Sequence, residues 1–145
     1  GDGGFWAREG VTDSSPPAPP KVPQREPDLA CELRTLPQQA LLYRLCADRN
    51  PLHSEPAFAR KAGFDRPILH GLGTYGVACH ALLATVCDYD PSRLKSPFAR
   101  FSAPVFPGET IRMEMYRERG EIAFRARAKE RDRVVLDYGR AEITN

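Results

Sequence analysis

Apolar and polar positions follow three successive patterns along the chain. From Leu29 to Leu36 a weak alternation puts Leu29, Cys31 and Leu33 on one side and predicts a short strand. A helix follows over QQALLYRLCA, residues 38–47. Thr35 and Gln38 have the spacing of a capping box, and Pro37 is tolerated in the first turn. The helix must stop near Asn50, because the residue ahead of Pro51 is pushed out of helical conformation. A shorter helical piece, EPAFARKAG, ends at Gly63, a natural C-terminal cap.

The second pattern covers residues 68–86. Ile68, Leu69, Leu72, Tyr75, Gly76, Cys79, Leu82, Leu83 and Val86 recur every three or four places, which is helical spacing. Residues 67–87 contain no Asp, Glu, Lys or Arg, so this helix belongs in the middle of a domain. Gly71, Gly73 and Gly76 each cost about 1 kcal/mol relative to Ala in a helix. Close approach of another backbone would offset that.

From Pro97 to Ile143 the period is two. Ile111, Met113 and Met115 alternate with Arg112, Glu114 and Tyr116; Ile122, Phe124, Ala126 and Ala128 alternate with Ala123, Arg125, Arg127 and Lys129. Breaks at Pro107-Gly108, Arg119-Gly120 and 131–133 make this an antiparallel meander with one apolar face. The arginines on its other face read as a solvated surface. One buried helix and one half-apolar sheet combine by wrapping the sheet round the helix, an α+β architecture.

At 145 residues the chain is one domain with a real core. Residues 1–28 differ from the rest: they hold six of the 14 prolines, four glycines and few apolar side chains. Such a segment favours extended conformations and does not fold alone. It reads as a Gly/Pro-rich linker or arm on a partner surface, anchored by Phe5 and Trp6, ahead of a folded domain at 29–145. The opening GDGGF, without Met, reads as the interior of a longer protein.

A net charge of +2 gives no field to hold nucleic acid or an anionic membrane. No apolar run reaches the roughly 18 residues of a membrane helix, and residues 1–10 lack the apolar stretch of a signal peptide. Cys31, Cys46, Cys79 and Cys87 form no C-x-x-C pair, and no His sits at a zinc-finger spacing. They read as reduced thiols in a cytoplasmic protein without structural metal.

The candidate chemistry lies in ADRNPLH, residues 47–53. On an unbroken helix Asp48 and His53 would point about 140° apart. Asn50-Pro51 interrupts the helix between them, so a turn braced by Asn50 can bring carboxylate and imidazole to one water, an acid/base pair. Spacing alone leaves open a capping aspartate and a surface histidine. Downstream, in GFDRPILHGLGTYG (63–76), His70-Gly71 stands where a loop enters the apolar helix. Free N–H groups at a helix start favour negative charge, and Gly admits a ligand oxygen close to the backbone. Those are the needs of an oxyanion hole. Asp48, His53 and His70 could also ligate a metal by residue type, but their spacing gives no further support.

LYRLCADRNPLH resembles the hydratase-2 motif of the MaoC-like dehydratases, usually written Y-R-L-S-G-D-x-N-P-L-H. FDRPILHGLGTYG, FSAPVFPGETI and VVLDYGRAEI resemble the family's following segments, so the likeness covers roughly 29–143. It implies a hot-dog fold and hydration of trans-2-enoyl-CoA thioesters to (3R)-3-hydroxyacyl-CoA, or the reverse, with neither metal nor redox cofactor. It further implies Asp48 and His53 as the catalytic pair and Asn50 orienting the loop or water. The Gly71 N–H would act as oxyanion donor, with His70 supporting. Two positions depart from the motif: Cys46 replaces the usual Ser and Ala47 the usual Gly.

The resemblance also implies an acyl-CoA or acyl-carrier-protein thioester as substrate. It implies a second hot-dog unit as partner, in a homodimer or as a non-catalytic chain, with this chain as the catalytic unit of a two-unit member. Two rival functions remain at this level. One is a hot-dog acyl-CoA thioesterase, disfavoured because residues 67–87 carry no carboxylate. The other is a non-catalytic supporting subunit, disfavoured by the intact Asp48/His53 pair.

Overall fold

The computed structural model describes residues 17–145. The GDGGF stretch and the Phe5–Trp6 pair lie outside the described residues. The elements are β1 (Leu29–Arg34), α1 (Gln39–Cys46), α2 (Pro56–Lys61), α3 (Gly71–Val86), β2 (Leu94–Phe101), β3 (Thr110–Glu118), β4 (Glu121–Ala128) and β5 (Arg133–Ile143). All the pairings are antiparallel, in the order β1-β3-β4-β5-β2. The expected meander is therefore β3–β4–β5. β2 begins at Leu94 rather than Pro97 and lies at the far edge beyond β5. The chain crosses from one side of the sheet to the other between β2 and β3, a step that no period-two pattern encodes.

α3 packs against one face of this sheet. Its buried residues, Thr74, Ala78, Ala81 and Leu82, form a stripe at helical spacing. Ala78, Ala81 and Leu82 share a core with Ile111, Met113, Met115, Phe124 and Leu136, the inward-facing strand positions. The helix is not enclosed on all sides: Leu72 is 67% exposed and Gly76 is exposed too. Nor does another backbone approach its glycines. A Cβ at Gly71 would meet the Phe101 ring at 3.2 Å, one at Gly73 the Leu69 side chain, and one at Gly76 open space. The close backbone contact is instead in β5, where a Cβ on Gly139 would collide with the carbonyl oxygen and ring of Phe124.

Two local expectations give way to long-range contacts. The capping box at α1 does not form. The Thr35 hydroxyl donates to the Glu109 carbonyl (2.7 Å) and accepts from the Gly108 N–H (3.0 Å), and Gln38 makes no side-chain cap. The outer sheet face is not simply solvated either, because the described part of the arm lies on it. Val22, 2% exposed, packs with Tyr116 and Ala123. Arg125, 8% exposed, donates to the carbonyls of Val22 (3.2 Å) and Pro23 (2.9 Å), and Arg140 donates to that of Lys21 (3.1 Å). Gly63 ends α2 with φ +93°, as expected of a glycine cap.

Candidate active site

α1 ends at Cys46, and two consecutive side-chain turns carry the chain onward. The Asp48 carboxylate accepts from the Asn50 N–H (2.9 Å), and the Asn50 side chain accepts from the Leu52 N–H (3.0 Å). Both are the local bonds that Asp and Asn offer a turn. Pro51 then starts a single 3-10 turn, Pro51–His53. The Arg44 guanidinium ties the loop back to α1 by donating to the Arg49 carbonyl (3.1 Å) and the Ser54 hydroxyl (2.6 Å). Ala47 has φ −145°, outside the left-handed region that favours glycine, so its methyl group imposes no left-handed strain.

This bend brings the sequence-predicted residues together. Asp48, His53 and His70 each offer an oxygen or ring nitrogen, and these atoms all lie within 4.8 Å of one another. His53 Nδ1 is 2.8 Å from the Ile68 carbonyl oxygen. A carbonyl only accepts, so Nδ1 carries the proton and the neutral ring keeps Nε2 as a base. Asp48 is exposed, His53 half-buried and His70 buried.

His70 is 3% exposed and held between two rings: Tyr43, with centroids 4.2 Å apart, and His53, stacked at 3.7 Å and 26°. Neither of its ring nitrogens has a hydrogen-bond partner among the described residues. Burial lowers its pKa from the usual 6.5, the nearby His53 lowers it further, and Asp48 pulls the other way. His70 caps α3, and its carbonyl accepts from the Thr74 N–H (3.0 Å). The Gly71 N–H, first of the helix, has no acceptor among the described residues.

Two cavities meet at His53. One, of about 330 Å³, also touches Gly71 and has apolar walls that include Phe64, Ile68, Leu69 and Phe101. The other, of about 240 Å³, is lined by Pro37, Leu41, Ser54, Arg66 and Pro107 among others. A larger polar groove of about 440 Å³ near Arg93 and Arg117 contains none of the site residues. The site thus offers a base, a carboxylate, an unpaired N–H donor and an apolar chamber. Sequence reasoning assigned no role to Tyr43 or Arg44, which hold His70 and the loop in place. Both stand inside the LYRLCADRNPLH stretch that drew attention to the site.

A helix laid across a five-stranded antiparallel sheet, with an acid/imidazole loop at the helix entrance, defines the hot-dog class of hydratase-like domains. The chain belongs to the MaoC-like domain family, whose model matches residues 19–138. It is 53% identical over 116 residues to enoyl-CoA hydratase 2, peroxisomal, of Arabidopsis thaliana, covering 80% of this chain and 38% of that protein. The crystal structure of a MaoC-like dehydratase from Phytophthora capsici superposes with a TM-score of 0.85 at 46% identity, covering 89% of this chain and 46% of that one. An (R)-hydratase from A. caviae superposes at 0.62 with 25% identity, covering 83% and 96%. The chain spans half the length or less of curated relatives such as the Arabidopsis protein.

Proposed function

We propose that this chain is the catalytic unit of an (R)-specific enoyl-CoA hydratase, adding water to a trans-2-enoyl thioester to give the (3R)-3-hydroxyacyl thioester, or running the reverse dehydration. The observation that carries this reading is the convergence of Asp48 and His53 beside an apolar chamber that also exposes Gly71. Asp48 and His53 hold one water. As its oxygen bonds to C3, the pair takes a proton from it, and the C2–C3 π electrons move onto the thioester oxygen. The Gly71 N–H meets that oxyanion. C2 then takes a proton from the pair, completing the addition of H and OH. Asn50 fixes the turn that sets the distance between the two groups.

The reaction adds water by acid–base chemistry and calls for no metal or redox cofactor. The four free cysteines fit a reducing compartment. The cytoplasm is the reading from sequence, and the name of the Arabidopsis relative makes the peroxisome the other candidate. Among the described residues no helix is long and apolar enough to cross a membrane. The exposed Leu72 on α3, and Phe98 and Phe101 on the edge strand β2, are the surface we assign to a second hot-dog unit.

The test is to follow the full-length protein with a trans-2-enoyl-CoA substrate. Enoyl absorbance is expected to fall without release of free thiol, and chiral analysis of the product is expected to give the 3R alcohol. Thiol release in step with substrate loss would instead make the protein a thioesterase.

A further inference from the structure

The second cavity at His53 differs in kind from the apolar one. Arg66 and Ser54 bring polar groups to it, and Arg66 lies at its exposed rim. The Arg66 guanidinium sits over the Phe106 ring, 4.7 Å from the centroid. Arg131 sits 4.8 Å from the same ring, but its N–H groups are committed: they donate to the Glu109 carboxylate at 2.6 and 3.0 Å and to the Pro104 carbonyl at 2.8 Å. Arg44, which bonds the Ser54 of this cavity, is committed to the loop through Arg49 and Ser54. Arg66 has no such partner among the described residues, not even its neighbour Asp65. Stacking on an aromatic face orients a guanidinium while leaving its edge donors open. An oriented fork of free donors, at the rim of a cavity that ends on the proposed base, matches a phosphate ester.

We propose that Arg66 anchors a phosphate of the pantetheine-type carrier to which the acyl thioester is attached. The proposal rests on the hydratase reading and sets the direction of the substrate. The acyl chain enters the cavity walled by Phe64, Leu69 and Phe101, the thioester lies between His53 and Gly71, and the carrier leaves past Arg66.

The test compares kcat/KM of the full-length protein, R66A and R66K for one enoyl group carried on coenzyme A and on pantetheine, which has no phosphate. R66A is expected to reduce the preference for coenzyme A over pantetheine about tenfold, mainly through KM, and R66K to restore part of it. Equal losses on both carriers, or no loss on either, would overturn the proposal. A dephospho-coenzyme A arm identifies the phosphate. If R66A costs as much there as on coenzyme A, the contact is to the diphosphate, whose pantetheine-side phosphate an acyl-carrier protein shares. If the cost vanishes there, the contact is to the 3′-phosphate. Should the wild type hydrate neither thioester, the hydratase reading fails instead. Calorimetry of free coenzyme A on wild type and R66A then tests Arg66 alone, and equal affinities would count against it.

Discussion

The sheet and the loop from Ala47 to Gly71 differ in how far their polar groups are paired. On the outer sheet face charges are paired: Arg112 with Glu32 and Glu114, Arg127 with Glu114 and Asp132, Lys129 with Glu32. The buried Arg125 is capped by two carbonyls of the arm. In the loop, a buried His70 has neither nitrogen bonded, the Gly71 N–H is open, and the stacked Arg66 has no acceptor among the described residues. Native interiors seldom leave polar groups unpaired, because each costs stability. Arg125 Nε and Arg140 Nε on the sheet are also unbonded among the described residues, but both side chains bond through their other nitrogens, whereas the buried His70 bonds through neither. A side chain left wholly unbonded beside an open N–H and an open guanidinium marks where the molecule binds something, while the sheet supplies the rigidity that holds them there.

Substitutions that separate stability from activity test this contrast most strongly. Asp48→Asn keeps the oxygen that accepts from Asn50 and removes the charge. We expect kcat/KM to fall about 10³-fold with an unchanged melting temperature. Undiminished turnover would move the chemistry elsewhere. Gly139→Ala does the reverse in the sheet. Its Cβ has no room beside Phe124, so denaturant titration should show a loss of about 2–3 kcal/mol, with normal activity per folded molecule.

A smaller effect concerns pH. The folded-state pKa of His70 lies below its unfolded value, so the unfolded chain binds the extra proton more readily between the two. Stability is therefore complete above about 6.5 and declines as the pH falls through that value towards the folded pKa. Melting curves of His70→Gln should lose this acid-side slope, and an unaltered slope would assign it to other groups. The smallest effect is expected for Ala47→Gly, which restores the motif residue where no left-handed backbone calls for glycine. A change in kcat/KM within about twofold is predicted, and a larger gain would mean that the methyl does tilt Asp48.

What was readable from sequence was whatever short-range rules control. Asn50-Pro51 had to break the helix, and it did so where Asp48 and His53 could meet. Period two marked the inward residues of β3 and β4. What was not readable depended on partners far along the chain. Thr35 looked like a cap, but a stronger arrangement 74 residues away takes its hydroxyl. Arg125 alternated like a surface residue until the arm covered it. The stacking of His53 on His70 joins two motifs that local sequence treats separately. Gly139 carries a sequence signal of its own: a glycine inside a strand often marks close backbone approach.

The fastening of residues 21–23 to Arg125 and Arg140 has a mechanical consequence. It grips the back of the sheet, on the side away from α3, so the incoming polypeptide is moored at a fixed point clear of the chamber mouth. A unit joined upstream of that mooring would pivot about the rear of this domain. Its reach towards the entrance would be measured from Lys21, not from the first strand.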